Sequence, residues 1–463
     1  MKRIVFCGFR GTGKTEVGKI VAGRTGLPFL DTDTLIEQQT GRSIPDIFHE
    51  DGEERFREEE QKVIAGLPKG GAVVSTGGGV VTDPVNMEHL RRDSVIFVLH
   101  ADIDTIEARL SKKPRPPLTG LPLREEIAAV TERRKQHYQA AADFCIDTSE
   151  TTPEAAAAAV MDLLSHGSIP AKNRAPCTAF FRSGRIPPKC MERLLKVLSD
   201  NPPDPLTRLV GVAGFPCAHS KGPHLFNALF DFYGLDYHYT WFEDPELAEI
   251  LSVAHHLDIK GLSVTIPFKQ EIIPLIDEVE EHAAQQIGAV NTVIFSCGTA
   301  RGYNTDWIGV RKPLVHLKGS KAVLLGAGGA AAGAAFAMTD LDMDLTILNR
   351  TPEKAKTLAD RFGCRWGELS DFDKLRPDVV VNSTPLGMKQ GDLSPLRDDQ
   401  LHTGMTVFDL VYTPPVTPLI EAARKAGCET ITGTEMFIGQ AREQFYLFFG
   451  IDVPREKMRE LLP

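Results

Sequence analysis

The chain has 463 residues, of which 42% are hydrophobic and 25% are charged, and its formal net charge is −10. Because a single hydrophobic core stops growing near roughly 250 to 300 residues, this length predicts two or three domains. No apolar run reaches the ~18 residues that a membrane helix needs, and the acidic balance argues against binding to nucleic acid or to an anionic membrane.

The cysteines and the N-terminus indicate the compartment. The eight cysteines are scattered without CxxC or Cys/His spacing, which predicts reduced thiols rather than a disulfide framework or a zinc site. The apolar segment at the N-terminus is too short for a signal peptide. We therefore expect a cytoplasmic protein that acts on small molecules.

The first part of the chain, predicted as a domain over 1–166, alternates short β-type runs with helical stretches. The runs RIVFC, AVVST, SVIFVLH and FCIDT predict strands, and TEVGKIVAGRTG and TPEAAAAAVMDLLSH predict helices. This alternation predicts an α/β fold with a parallel sheet covered by helices.

A glycine-rich loop follows the first predicted strand. The stretch GFRGTGKT matches the phosphate-loop pattern G-x-x-x-x-G-K-[ST], in which backbone N–H groups surround the phosphates of a nucleotide. Lys14 would neutralise the β and γ phosphates, and the Thr15 hydroxyl would coordinate Mg²⁺. The predicted ATP-binding residues of this loop are Gly8, Gly11, Gly13, Lys14 and Thr15.

Downstream motifs identify an acceptor for the phosphate. The segments FLDTDTLIE, DGEERFREEE, STGGGV, KPRPPL and RRKQHY follow in that order, and with the loop they make the first ~165 residues resemble shikimate kinase. The resemblance implies that Asp31 lies near Mg²⁺, that Asp33 orients the substrate hydroxyl and accepts its proton, and that Arg115 closes over ATP with Pro116. It also implies that the substrate carboxylate and ring are bound by Arg57, Gly77, Gly78, Gly79 and Arg134.

The composition changes after this domain. Residues 167–206 are rich in Pro, Gly and Asn, which predicts a linker with one short helix near CMERLLKVLS. A second α/β region then begins. We predict a substrate-binding domain over 207–310, a Rossmann-type NADP domain over 311–428, and C-terminal helices over 429–463 that pack back on the substrate-binding domain.

A second nucleotide motif lies in this region. The pattern G-x-G-x-x-A after the strand KAVLL predicts a dinucleotide pyrophosphate at the start of a helix, with Gly326, Gly328, Gly329 and Ala331 in the turn. The next strand ends without an acidic residue. Polar and basic residues stand there instead and favour a 2'-phosphate, hence NADPH over NADH; they are Asn349, Arg350, Thr351 and Lys354.

Motifs on both sides of this turn carry a second resemblance. The segments GFPCAHSKGPHLFN, GLSVTIPFKQ, IGAVNT, GYNTDWIG, NSTPLGM, FDLVY and GTEMFIGQA make residues 207–463 resemble shikimate dehydrogenase. The resemblance implies that Lys269 and Asp306 face the substrate ring as the catalytic pair, with either one able to transfer the proton. It also implies substrate contacts from Ser220, Thr265, Asn291, Gln440 and Tyr412.

Three positions depart from the dehydrogenase pattern. Gly222 replaces the second serine of S-x-S-P, Ser263 stands where asparagine is common, and the glycine turn lacks the usual following basic residue. A missing hydroxyl weakens substrate binding by about 1 kcal/mol when no water replaces it.

Together the resemblances imply one bifunctional enzyme. The C-terminal half would reduce 3-dehydroshikimate with NADPH, and the N-terminal half would phosphorylate the new hydroxyl of shikimate with ATP and Mg²⁺. Two alternatives stay open at this point: a metabolite sensor derived from such enzymes, as in some fungal regulators, and a dehydrogenase acting on quinate or with NAD.

Overall fold

The computed structural model describes residues 2–112, 118–166, 208–218, 220–257, 259–296, 298–389 and 391–462. Within these ranges the chain builds three separate sheets, each covered by helices. This arrangement confirms the predicted α/β fold class. The linker helix predicted near CMERLLKVLS lies outside the described residues, and the domain limits given above stay predictions.

The first sheet is parallel and has the strand order β2-β3-β1-β4-β5. Its strands are β1 Arg3–Cys7, β2 Phe29–Asp31, β3 Val73–Ser75, β4 Ser94–His100 and β5 Phe144–Asp147. The helices of this part are α1 Lys14–Thr25, α2 Thr32–Thr40, α3 Ile44–Ala65, α4 Pro84–Arg91, α5 Ile103–Lys112, α6 Leu123–Ala141 and α7 Pro153–His166. The five residues of β1 are all buried, as expected for the central strand of a sheet covered on both faces.

The second sheet is mixed and has the order β7-β6-β8-β10-β11-β9, with β10 antiparallel to both of its neighbours. Its strands are β6 Arg208–Gly214, β7 Tyr237–Glu243, β8 Gly261–Val264, β9 Glu278–Val279, β10 Thr292–Ser296 and β11 Thr299–Tyr303. Its helices are α8 Gly222–Tyr233, α9 Leu247–His256 and α10 Ala284–Ile287.

The third sheet is parallel and has the order β14-β13-β12-β15-β16-β17, which is a doubly wound arrangement. Its strands are β12 Lys321–Leu325, β13 Asp344–Leu348, β14 Arg365–Gly367, β15 Val379–Asn382, β16 Thr406–Asp409 and β17 Glu429–Ile431. Helix α11 Asp306–Leu314 precedes β12. The helices that follow β12 are α12 Gly329–Asp340, α13 Pro352–Phe362, α14 Phe372–Leu375, α15 Pro418–Lys425, α16 Gly433–Phe449 and α17 Arg455–Leu461.

Helix α16 returns to the second sheet. Its aromatic residues Phe445, Phe448 and Phe449 are fully buried in one cluster with Phe226 and Phe230 of α8. Aromatic rings of this size dominate the burial of apolar surface, so this cluster fixes α16 against the second sheet. The helix also crosses α11 closely, where Gly439 and Gly309 meet without side chains between them.

The first and second sheets share a buried polar interface, which we call the interdomain interface. Asp143 precedes β5, and its carboxylate accepts hydrogen bonds from the Tyr237 hydroxyl at 2.6 Å and from the Ile96 backbone N–H at 2.8 Å. The guanidinium groups of Arg91 and Arg208 lie 3.5 and 3.7 Å from the same carboxylate. Burial alone would raise the pKa of the Asp143 carboxyl, but these cations and the hydroxyl hold it below its usual value.

Replacing Asp143 with asparagine is expected to lower the free energy of unfolding by about 3 kcal/mol at pH 7, because it leaves two buried cations without their carboxylate. Since the folded-state pKa of Asp143 is depressed, its contribution is complete above about pH 5 and is lost as the pH falls through that lower pKa. The difference in the free energy of unfolding between wild type and Asp143→Asn should therefore become smaller at acidic pH.

Thermal or denaturant unfolding at several pH values measures this difference. Asp147→Asn is the matched control, because Asp147 lies on β5 but is mostly exposed. If the two variants have equal free energies of unfolding across this pH range, the carboxylate of Asp143 does not stabilise the interdomain interface.

One cysteine differs from the expectation of reduced thiols. Cys7, Cys217, Cys364 and Cys428 are thiols outside any disulfide, but Cys145 is disulfide-bonded. Cys145 lies on β5 at the edge of the interdomain interface, where its sulfur is 3.6 Å from the Ser296 hydroxyl oxygen. The prediction of reduced thiols was therefore wrong at Cys145, because spacing along the chain does not reveal which cysteines meet in space.

Candidate active sites

The phosphate loop connects β1 to α1 at the carboxyl edge of the first sheet. Gly8 has a φ of 138°, and a Cβ there would lie 2.2 Å from the Leu99 carbonyl oxygen, so only glycine fits. No side chain caps the start of α1, which leaves backbone N–H groups directed at the loop. The Lys14 ammonium donates to the carbonyl oxygens of Gly8 and Phe9 at 2.8 and 3.0 Å. The loop thus has the shape and charge needed to hold nucleotide phosphates.

The proposed Mg²⁺ residues lie next to each other. The Thr15 hydroxyl donates to Asp31 Oδ2 at 3.1 Å and lies 3.4 Å from the Ser75 hydroxyl. Asp31 Oδ1 accepts the N–H groups of Asp33 and Thr34, which holds the carboxylate at the start of α2. One carboxylate and a hydroxyl beside a phosphate site suit Mg²⁺, which takes its remaining ligands from water and phosphates. These residues therefore fit the ion.

The glycine triplet packs against the acceptor-side carboxylates. A Cβ on Gly77 would lie 2.9 Å from Asp33 Oδ1 and 3.3 Å from Glu60 Oε1. A Cβ on Gly79 would lie 2.7 Å from Arg57 Nη2. The absence of side chains in the triplet therefore lets Asp33, Glu60 and Arg57 lie around one small space.

Arg57 is held by two carboxylates in this space. It pairs with Glu60 at 2.9 Å and with Glu53 at 3.0 Å. Burial raises the pKa of the Glu60 carboxyl, and the nearby guanidinium of Arg57 opposes that rise. Sequence reasoning missed Glu60, which appears in the acidic run after Arg57 and is oriented inward by the helical turn of three residues.

The distal arginine reaches the same triplet from α6. Arg134 Nη1 donates to the Gly78 carbonyl oxygen at 3.1 Å, and the Tyr138 hydroxyl donates to the same oxygen at 2.7 Å. Burial raises the pKa of Tyr138 to about 12, so its hydroxyl remains a donor at neutral pH. The structure brings Arg57 and Arg134 to the glycine triplet; Arg115 and Pro116 lie outside the described residues.

A buried carboxylate also ties the phosphate loop to α6. Arg10 of the loop donates to Glu126 Oε1. The other carboxylate oxygen of Glu126 accepts the N–H groups of Leu118 and Thr119 at 2.7 and 2.6 Å. Glu126 is 1% exposed, and no sequence motif indicated it. It fixes the loop relative to the chain segment that enters α6.

The second candidate site lies where β8, β10 and β11 of the second sheet meet α11. Lys269 Nζ donates to Asp306 Oδ2 at 2.5 Å, and Asn291 Nδ2 donates to Asp306 Oδ1 at 2.8 Å. The Asp306 side chain is 8% exposed and that of Lys269 is 21% exposed. The carboxylate is thus fixed on both oxygens, while the ammonium stays accessible for a carbonyl oxygen that gains negative charge.

Helix α16 contributes amides to this site. The Thr305 hydroxyl lies 3.5 Å from Gln440 Oε1, which places the predicted Gln440 beside the residue that precedes Asp306. Gln444, one turn later, donates to the Asn291 carbonyl at 3.1 Å and accepts from the Ser263 hydroxyl at 3.0 Å. Sequence reasoning missed Gln444. The hydroxyl of Ser263, one of the departures from the family pattern, therefore has a hydrogen-bond partner within the protein.

The predicted substrate-binding residues Ser220 and Thr265 lie on loops of the second sheet. The Ser220 hydroxyl accepts the N–H of Gly222 at 3.2 Å. A Cβ on Gly222 would lie 3.3 Å from the Tyr239 hydroxyl, so a buried tyrosine occupies the neighbourhood of the missing second serine. Thr265 follows β8, and its carbonyl oxygen accepts the Phe268 N–H at 2.9 Å, in the turn that leads to Lys269.

Tyr412 follows β16, and its ring contacts Phe437 of α16 with the centroids 5.2 Å apart. Burial raises the pKa of Tyr412, and the negative charge of the Asp306 carboxylate raises it further.

The predicted dinucleotide turn joins β12 to α12. Gly326 has a φ of 107°, and a Cβ there would lie 2.6 Å from the Ser383 hydroxyl oxygen. Gly328 is the N-cap of α12 and supplies no capping side chain, and Gly329 has open space where a Cβ would stand. Buried Ala331 packs in the core under the turn. Backbone N–H groups at this helix start fit a pyrophosphate.

The residues predicted to select the cofactor follow β13. Asn349 donates to the Thr351 carbonyl at 3.0 Å, which shapes the turn before α13. Arg350, Thr351 and Lys354 are exposed there. Two cations at the end of the second strand of this sheet fit a ribose 2'-phosphate.

Comparison with known proteins agrees with this geometry. Residues 10–165 match the family model for shikimate kinase. Residues 212–293 match the shikimate dehydrogenase substrate binding domain, 310–432 the shikimate / quinate 5-dehydrogenase, and 433–462 the shikimate 5'-dehydrogenase C-terminal domain. Shikimate dehydrogenase (NADP(+)) of Haloarcula marismortui is 40% identical over 54% of the chain and 96% of that relative. The chain belongs to the shikimate dehydrogenase family and carries a shikimate kinase domain before it.

Solved structures match the dehydrogenase half. Shikimate dehydrogenase from Aquifex aeolicus is 38% identical, with a TM-score of 0.52 over 55% of this chain and 97% of that one. The Thermus thermophilus enzyme, described in complex with NADP(H) and shikimate, is 31% identical with a TM-score of 0.52, over 55% and 98%. Quinate dehydrogenase from Corynebacterium glutamicum, in complex with NAD, is 32% identical with a TM-score of 0.52, over 55% and 98%. Among the described residues, no helix is both long and apolar enough to cross a membrane.

Glu126 yields a prediction for the kinase. Glu126→Gln should raise the KM for ATP about fivefold, because the amide cannot hold both Arg10 and the N–H groups of residues 118 and 119. The KM for shikimate and the dehydrogenase activity should stay unchanged. Glu107→Gln is the matched control, since Glu107 bridges α5 to Arg124 of α6 without touching the loop. Equal ATP KM values for the two variants would refute this role.

Proposed function

We propose that this chain catalyses two consecutive reactions: the reduction of 3-dehydroshikimate to shikimate with NADPH, and the phosphorylation of shikimate to shikimate 3-phosphate with ATP and Mg²⁺. The single observation that carries the proposal is the coexistence of two polar sites in one chain. In the first, Lys14 lies in the phosphate loop, and Thr15 donates to Asp31, whose carboxylate also accepts the Asp33 N–H; in the second, Lys269 donates to Asp306. A metabolite sensor has no need for both sets of catalytic groups.

In the dehydrogenase site, NADPH supplies a hydride to the carbonyl carbon when it is bound. The carbonyl oxygen gains negative charge, and the Lys269 ammonium stabilises that charge and donates a proton to form the hydroxyl. Asp306 holds the ammonium and accepts a hydrogen bond from Asn291, so the charge pair is already oriented before substrate binds. Arg350 and Lys354 would bind the 2'-phosphate.

In the kinase site, the substrate hydroxyl attacks the terminal phosphorus of ATP, and the bond to the leaving ADP oxygen breaks. Asp33 orients this hydroxyl and accepts its proton, while Arg57 and Arg134 bind the substrate carboxylate. Lys14 would neutralise charge on the phosphates, and Thr15 with Asp31 would hold Mg²⁺. Phosphoryl transfer depends mostly on such positioning and charge stabilisation.

The test is one incubation of the purified protein with 3-dehydroshikimate, NADPH, ATP and Mg²⁺, followed by mass spectrometry of the products. Shikimate 3-phosphate supports both activities and their order. Shikimate alone contradicts the kinase assignment, and the absence of any product contradicts both. A cytoplasmic location is part of the proposal, because both cofactors and both substrates are those of intracellular metabolism.

Gly222 favours one second candidate, a dehydrogenase that also accepts quinate. Glycine at this position removes one hydroxyl from the substrate-carboxylate side, where the family pattern has serine. The ratio of kcat/KM for shikimate oxidation to kcat/KM for quinate oxidation tests whether quinate is a substrate, with NADP and NAD compared in parallel. A preference for quinate would replace the first proposal for this half of the chain.

A further inference from the structure

The last turn of the kinase helix α6 is capped by a residue of the dehydrogenase. Lys260, which directly precedes β8, is 1% exposed, and its Nζ donates to the carbonyl oxygens of Gln139 and Ala142 at 2.7 and 2.5 Å. The final carbonyl groups of a helix have no partner within the helix, and a cation there also interacts favourably with the helix dipole. Lys260 therefore completes a helix that belongs to the other enzyme.

The same helix carries the acceptor-site residues of the kinase. Arg134 lies five residues before Gln139, and Tyr138 lies directly before it. Both donate to the Gly78 carbonyl oxygen of the glycine triplet, at 3.1 and 2.7 Å. A change in the position of the last turn of α6 thus moves the donors that define the carboxylate side of this site.

Two further contacts hold α6 from the dehydrogenase side. The Tyr303 hydroxyl donates to the Gln139 side-chain oxygen at 3.3 Å. The Lys135 ammonium pairs with both carboxylate oxygens of Glu278 at 2.8 and 2.9 Å. The dehydrogenase therefore contacts the helix immediately after Arg134 and again at its end.

We propose that Lys260 is a positioning residue of the shikimate kinase site, although it belongs to the dehydrogenase half of the chain. It acts through α6 and touches neither substrate nor nucleotide of the kinase. The inference rests on the proposed kinase function, since it concerns the residues that bind shikimate.

The test compares Lys260→Met with Lys2→Met in the full chain. Lys2 also reaches across the interface, pairing with Asp236 at 2.7 Å, and both side chains of this pair are exposed. Lys260→Met removes the charged donor while keeping the length of the side chain. We expect the KM of the kinase for shikimate to rise about three- to tenfold, with the KM for ATP unchanged.

Two further measurements separate positioning from simple loss of stability. Loss of folded protein lowers the apparent kcat of both enzymes and leaves the shikimate KM unchanged, whereas misplacement of α6 raises that KM alone. Amide hydrogen exchange in residues 137–142 should be faster in Lys260→Met than in Lys2→Met, with α5 unaffected. Should Lys260→Met fail to fold, Lys260→Gln, whose shorter side chain keeps an N–H donor, gives the same comparison.

The inference would be overturned if Lys260→Met had the same kinase KM for shikimate and the same amide exchange rates as Lys2→Met. A parallel rise in the KM for ATP and for shikimate would also overturn it, because it would indicate a general loosening of the kinase. Wild-type protein assayed alongside tests the kinase function separately. If the wild type phosphorylates shikimate and Lys260→Met has the same shikimate KM, only the positioning role is refuted.

Discussion

Lys269→Met is expected to slow the dehydrogenase reaction by about 10²- to 10⁴-fold at saturating substrate, while the kinase activity of the same chain stays unchanged. The ammonium of Lys269 is the accessible member of a pair whose carboxylate, that of Asp306, is fixed by Asn291. Methionine keeps the length of the side chain but supplies neither positive charge nor a proton. Steady-state rates of NADPH oxidation measure the effect.

Lys318→Met is the matched control, since Lys318 forms an exposed pair with Asp342 in the same half of the chain. It should behave as wild type in both assays. A Lys269→Met enzyme with an unchanged turnover rate would refute the role of Lys269. Asp306→Asn provides the complementary test, because loss of the carboxylate should lower the same rate while leaving kinase activity intact.

Asp33→Asn is expected to slow the phosphorylation of shikimate by about 10²- to 10⁴-fold at saturating substrates, with the dehydrogenase unchanged. Asparagine retains the size of the side chain and one hydrogen-bond acceptor, but it does not accept the proton of the attacking hydroxyl. Because Asp33 lies beside Gly77 and not in the phosphate loop, the KM for ATP should change little. A coupled assay for ADP release measures the turnover rate and both KM values.

Asp51→Asn removes a carboxylate from the same domain without approaching the glycine triplet, because Asp51 pairs with Arg42 on the surface. Its kinase activity should equal that of wild type. If Asp33→Asn and Asp51→Asn turn over at the same rate, Asp33 is not the group that accepts the proton.

Much of the fold follows from local patterns. Continuous apolar runs such as RIVFC and KAVLL predict strands buried on both faces, and they form β1 and β12. The short strands are harder to predict: β2 has three residues and β9 two, which is too few for a repeating pattern to distinguish strand from loop. The order of strands in the second sheet depends on which segments pair in space, and it is not encoded in any single segment.

The sites divide in the same way. Residues within one motif, such as Gly8, Lys14 and Lys269, could be predicted because the chemistry requires their spacing. Glu126 and Gln444 could not, since Glu126 meets Arg10 from 116 positions away and Gln444 reaches Asn291 from 153 positions away. A buried carboxylate or amide in a helix resembles any solvated helix residue until its neighbours are known.

At the interdomain interface, Arg91 donates to the Phe449 carbonyl oxygen, and Arg208 and Tyr237 contact the Asp143 carboxylate, so each contact joins the two enzymes. If the chain were divided here, each half would expose to water charged and aromatic side chains that are complementary only to the other half. Because both enzymes lie in one chain, they are synthesised in a fixed one-to-one ratio, and we expect a substitution that destabilises the interdomain interface to lower the amount of both folded enzymes.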